Sequence, residues 1–223
     1  MKKQLLTTTI GTLVLAAALT GCGKTNAPQE TPAPAAQETA APIVQAAPSP
    51  AVPSAPQRQH GERYDTTIIL EGMEETVHYE HVRNEGLGYE IDYDYESFTR
   101  RREADRELYI SVWDSPEVPE NYLEITSSAD SAETAAAAIS EELGRDYEVR
   151  QDSFELDRAG ACIRIHADEM KGGGYMPEHL QTVFIIPAPD GCRIAWEHSF
   201  IAESEGFGHR FGYMMQTFSV LPR

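Results

Sequence analysis

Residues 180–200 read LQTVFIIPAPDGCRIAWEHSF. The run Val183-Phe184-Ile185-Ile186 is apolar at four consecutive positions, so a strand there would be buried on both faces and belongs in the middle of a sheet. Asp190-Gly191 then supplies turn chemistry before a second strand at 192–200. The pattern extends towards the N-terminus. Strands are expected at 147–156 and 162–167, joined by Asp157-Arg158-Ala159-Gly160, and Lys171-Gly172-Gly173-Gly174 connects the latter to 180–186. Four strands linked in this way form an antiparallel meander.

Residues 130–143 precede the meander and carry the clearest helical pattern. Asp130 and Glu133 have capping-box spacing, Ala132, Ala135, Ala136, Ile139 and Leu143 form one stripe, and Gly144 ends it. A stripe of alanines lets a helix lie close on a sheet. Further upstream, 66–70 and 76–80 flank Glu71-Gly72-Met73-Glu74-Glu75 as a hairpin, and strands are expected at 108–113 and 122–126. Residues 89–96 alternate between apolar or aromatic side chains and carboxylates, as in a strand with one packed and one wet face. A final helix begins near Ser204 and places Phe207, Phe211, Met214, Met215 and Phe218 on one side. The expected fold is α+β: an antiparallel sheet (meander) with two packed helices sharing one face.

The chain has 223 residues, 18 basic against 36 acidic, and a net charge of -18. That balance excludes a phosphate-neutralising face, so no nucleic-acid partner is expected. The charge is concentrated in 62–223, which holds 14 basic and 34 acidic residues. Residues 1–21 read as a lipoprotein signal peptide. Lys2 and Lys3 precede an uncharged stretch at 5–19, and Leu19-Thr20-Gly21-Cys22 resembles a bacterial lipobox. Cys22 is then the lipidation site, its acyl chains (palmitate among them) the contact with the membrane, and the protein lies on the extracytoplasmic face. Residues 22–61 form a Pro/Ala-rich disordered linker, too poor in apolar residues to offset chain entropy. Residues 62–223 form a single acidic α+β domain.

Several groups in that domain are candidates for chemistry. Glu90, Asp92, Asp94 and Glu96 would project from one strand face about 7 Å apart. They are read as a solvated face and a candidate binding surface for a basic protein or envelope ligand. A calcium-binding acidic module is the alternative, although ligands spaced along a straight strand converge poorly on one ion. His78 and His81 fall on opposite strand faces. His166 beside Asp168 and Glu169, and His198 beside Glu197, are the only places that offer a His/carboxylate pair to an envelope hydrolase, and alternation puts the two histidines on opposite faces. No HExxH, GxSxG, P-loop or CxxC motif occurs in the domain. No catalytic set, metal or cofactor is therefore expected. Cys162 and Cys192 would be two strand spacings apart, roughly 9.5 Å, beyond the reach of a disulfide, and are expected as free thiols. Gly208 and Gly212 suggest close approach of the last helix to the sheet.

Glu71-Gly72-Met73-Glu74-Glu75, Gly88-Tyr89 through Tyr93-Asp94, Glu205-Gly206-Phe207-Gly208 and Met215-Gln216-Thr217-Phe218 resemble a group of uncharacterised bacterial surface lipoproteins. The order of strands and helices is similar to that of the Mog1/PsbP-like domain. The resemblance covers 62–223 and implies a non-catalytic binding or accessory domain on a lipid anchor.

Overall fold

A computed structural model of the chain describes residues 58–171, 179–200 and 204–222. Cys22, the signal segment, the Pro/Ala-rich stretch up to residue 57 and the glycine run at 172–174 lie outside the described residues. The elements run β1 Arg63–Leu70, β2 Met73–Asn84, β3 Tyr89–Asp94, β4 Phe98–Arg102, β5 Arg106–Ser111, β6 Tyr122–Ser128, α1 Ala132–Leu143, β7 Tyr147–Leu156, β8 Gly160–Met170, β9 His179–Ala188, β10 Gly191–Phe200, α2 Ser204–Gln216 and β11 Ser219–Val220.

The strands form two antiparallel sheets rather than the single one expected. One has the order β1-β2-β3-β11 and the other β4-β5-β6-β10-β9-β8-β7. The meander from β7 to β10 is present and β9 is interior, as its doubly apolar run requires. The hairpin before it is tighter than the five residues expected. Glu71 (φ 50) and Gly72 (φ 79) alone make the turn, and their positive φ angles give the strands a matching twist.

α1 explains how the large sheet closes. β6 must connect to β7 on the far side of β10, β9 and β8, about four strand spacings or 19 Å away. A helix of 12 residues spans about 18 Å, so one straight crossover suffices. Its N-cap is Ser131, whose Oγ accepts from the Thr134 amide at 3.3 Å; Asp130 instead bonds with Ser128. The expected Asp130–Glu133 box is thus displaced by one residue.

The helices cover opposite faces of the large sheet, which corrects the expectation that they share one. Val183 and Ile185 pack on the alanine stripe of α1 with Ile165 and Ala167. Phe184 and Ile186 point the other way, into a core shared with α2 and the small sheet. In that core Phe211, Met214, Met215 and Phe218 are fully buried beside Tyr89, Ile91 and Ile125. Each such side chain contributes about 1.5–3 kcal/mol by leaving water. The physical cause was visible in β9: a strand apolar on both sides needs cover on both.

A buried polar group ties the sheets together. Glu107 of β5 has no exposure and accepts hydrogen bonds from Asn84 Nδ2 at 2.7 Å and from the Tyr89 hydroxyl, both on the small sheet. Arg100 of β4 pairs with its other oxygen. A buried acid satisfied on every side rigidifies a core, whereas one left half-paired would destabilise it.

Candidate functional site

A cleft of about 370 Å³ opens between α2 and the face of the large sheet opposite α1. Its floor is Phe154 of β7, Arg164 and His166 of β8, Thr182 and Phe184 of β9, and Glu197 of β10. Its roof is α2, through Gly208, His209, Gly212, Met215 and Gln216. Register explains the floor. Arg150, His166, Thr182, Glu197 and Leu123 lie opposite one another across five strands, and Asp152, Arg164, Phe184 and Ala195 form the next row. Strand alternation turns both rows to the same face.

The glycines of α2 make the space. A Cβ at Gly212 would meet nothing within 4 Å, and one at Gly208 would come only to 3.5 Å from Glu197 Oε1. The expected close approach of helix to sheet is therefore corrected: α2 stands off the sheet here, and its glycines line a cavity. The sheet contact is made instead by the aromatic and methionine side chains on the adjoining faces of α2.

The charged groups of the floor are unevenly paired. Arg164 bonds Asp152 through Nε (3.0 Å) and Nη2 (2.7 Å) and stands 4.0 Å over the Phe154 ring. That guanidinium holds the Asp152 carboxyl below its ordinary pKa. Arg150 pairs with Asp168. Burial lowers the pKa of the His166 imidazole, and the neighbouring Arg164 charge adds to the effect. Glu197 is 9% exposed and, among the described residues, has no salt bridge; the Ser199 hydroxyl donates to its Oε1 at 3.1 Å. Burial pushes its carboxyl up to about 8. At neutral pH it is mostly a protonated acid facing a cavity.

The carboxylate row singled out in the sequence takes a different form. β3 ends at Asp94, so Glu96 lies in the following turn and is exposed, while Glu90 of β3 is partly exposed. Asp92 and Asp94 are 0% and 3% exposed. Asp92 accepts from Tyr64 and His81 and pairs with Arg158 at 3.1 Å and Arg58 at 3.7 Å; Asp94 accepts from Ser97 and pairs with Arg210 of α2 at 2.9 Å. The expected wet face is corrected. These two acids clamp the residues entering the domain, the β7–β8 turn and α2 against β3, so the row offers no open array of carboxylates to an ion or a partner. Tyr89 and Tyr93 on the alternate face are buried core.

The histidines disperse as alternation predicts. His198 lies on the α1 face of the large sheet, stacked on Tyr122 (4.3 Å) and Trp196 (5.4 Å), away from the cleft that His166 lines. His166 and Glu197 share the cleft but are separated by the whole of β9, roughly 9.5 Å. His81 is buried against Asp92, and His78 bonds Asp65 on the other face of β2. Cys162 and Cys192 are both buried and unbridged, on opposite faces of the large sheet. Among the described residues no group of three His, Cys, Asp or Glu converges as a metal site. The sequence singles out Glu197 only as the carboxylate beside His198, not as a cleft acid facing away from it. Its signal was the alternation Arg193, Ala195, Glu197, which places it opposite Ile194 and Trp196.

No protein-family model and no curated protein matches the chain. Solved structures similar to it include the solution structure of cyanobacterial PsbP (CyanoP) from Synechocystis, 9% identical, covering 64% of this chain and 92% of that one with a TM-score of 0.44. Another is the crystal structure of LpqN, involved in cell envelope biogenesis of Mycobacterium tuberculosis, 8% identical, covering 74% of this chain and 87% of that one with a TM-score of 0.32. No helix among the described residues is long and apolar enough to cross a membrane.

Proposed function

We propose that the chain is a lipoprotein held by acyl chains on Cys22 at the extracytoplasmic face of a cell membrane, and that its acidic domain binds a ligand in the α2 cleft without transforming it. The open cleft carries this reading: a concave, partly apolar space with a few convergent polar groups is the form that small-molecule sites take. His166 and Glu197 are separated by β9 and form no hydrogen-bonded dyad of the kind that activates a nucleophile, which supports binding over nucleophilic catalysis. The lipobox-like Leu19-Thr20-Gly21-Cys22 supports the anchor.

Two measurements test it. Alkyne-palmitate fed to expressing cells should label the chain, and Cys22→Ser should abolish both labelling and partition into detergent; equal labelling of the variant would refute the anchor. Gly212→Phe should fill the cleft and remove ligand-induced thermal shifts seen in the unaltered full chain. Turnover of a bound compound that disappears in His166→Ala would overturn the non-catalytic reading.

A further inference from the structure

We infer that the α2 cleft takes a small organic ammonium, whose charged head pairs with Glu197 and whose apolar body lies against Phe184 and Met215. The inference rests on the cleft being a binding site and names the chemistry of its ligand.

Charge accounting within the cleft points to a cation. Arg164 is committed to Asp152 by two hydrogen bonds, and Arg150 to Asp168. His166 faces the cavity from β8, its imidazole held below its ordinary pKa by burial, and His209 reaches it from α2. From β6, the cross-strand neighbour of Glu197 is the apolar Leu123, and from β10 its neighbours are Ala195 and Ser199. Glu197 is thus a buried carboxyl with a hydroxyl partner and, among the described residues, no cation paired with it. An anionic ligand would find at most one O–H donor here and no free positive charge, because both arginines are already paired. An ammonium would convert Glu197 into a buried ion pair and displace its proton to solvent, so that one cation enters as one proton leaves.

The surroundings suit an alkylammonium better than a metal ion. A single carboxylate with one neighbouring hydroxyl supplies too few oxygens for a hard divalent cation. An ammonium needs only two or three acceptors, and Thr182 stands beside Glu197 in register on β9, about 5 Å away between Cβ atoms. Phe184 and Met215 provide the apolar wall, and an aromatic face attracts cations; the Phe154 ring already carries the Arg164 guanidinium. The whole chain, at -18, draws cations towards it.

The test uses the full chain and three probes of one shape: hexylamine, hexanol and hexanoate. Titration calorimetry should show hexylamine binding one to one, with Kd falling roughly tenfold per pH unit from pH 6 towards 8. Heats in phosphate and Tris should report nearly one proton released near pH 7, a result that needs no variant. Glu197→Gln, which keeps the shape and every surface charge, should lose both the binding and the proton release. Equal affinity in that variant, or pH-independent binding, overturns the inference. Binding of hexanol or hexanoate instead, abolished by Gly212→Phe, also overturns it but leaves the proposed function standing; indifference of all three probes to Gly212→Phe sinks both. A blocked Ala-Lys-Ala peptide that binds more tightly than hexylamine, with the same proton release, assigns the ammonium to a lysine of a partner protein.

Discussion

Arg193 of β10 and Gly88, which precedes β3, interlock the two sheets. The buried guanidinium donates from Nε to the Gly88 carbonyl at 3.3 Å and from Nη2 to Asp190 at 2.8 Å. Gly88 has φ +72, and a Cβ there would collide with Arg193 Nη2. A side chain at 88 is therefore excluded twice, by backbone strain and by the arginine beneath it. Gly88→Ala is expected to destabilise the chain by about 2–4 kcal/mol, read as a lower urea midpoint with an unchanged slope. A variant as stable as the parent would show that the sheets are not held together here.

The Asp92 cluster makes a second prediction. Its carboxylate, fully buried, takes hydrogen bonds from His81 (2.6 Å) and Tyr64 (2.8 Å) and neutralises Arg158. Asp92→Ala leaves that arginine facing a hole and should lower stability by about 3–5 kcal/mol. Arg58 is further away, at 3.7 Å, and also covers the Tyr64 ring. Arg58→Ala should cost only about 1 kcal/mol, because most of its contribution is the cation–π contact. Chemical denaturation of the two variants side by side checks the ranking.

Two buried groups on opposite faces of β10 give the pH dependence a defined sign. Glu197, pushed up from 4.5 to about 8, keeps its proton in the folded chain while the unfolded chain has released it, so stability falls as pH rises through that window. His198, pushed down from 6.5 to about 4 by burial, refuses a proton that the unfolded chain accepts, so stability falls as pH drops through that range. The two effects oppose one another between 4.5 and 6.5; above 6.5 the Glu197 effect continues, joined in the same direction by partly exposed His78, whose hydrogen bond to Asp65 raises the pKa of its imidazole. Thermal unfolding of the parent should weaken from pH 6.5 to 8, and Glu197→Gln should flatten that decline. His198→Phe, which preserves the stack on Tyr122 and Trp196, should flatten the acid side.

The sequence made local structure legible and long-range placement less so. The meander, the interior position of β9, the alanine face of α1 and the opposite orientation of His166 and His198 all follow from periodicity, which is written in neighbouring residues. Whether β3 pairs with β11, 125 residues and more downstream, is decided by the path of α2, and no local pattern reports it. The acidic alternation at 89–96 misled for a related reason. Alternation says which side chains share a face, not what covers it, and here Arg158 and Arg210 arrive from distant elements. Glu197 was hidden likewise, since its cleft exists only once α2 crosses β10.

Small residues on the two helices do opposite work, and substitution should separate them. Ala136 of α1 is 1% exposed and packed against the large sheet, so Ala136→Leu forces the helix outward and should cost about 1–3 kcal/mol. Gly212 of α2 is surrounded by empty space, so Gly212→Ala should stabilise the helix by about 0.5–1 kcal/mol. A glycine that weakens its helix yet relieves no contact is best explained by the volume it leaves open. Gly212→Ala should therefore raise the melting temperature while weakening hexylamine binding. An alanine that raised the melting temperature and left binding unchanged would show that the space beneath Gly212 is not where the ligand lies.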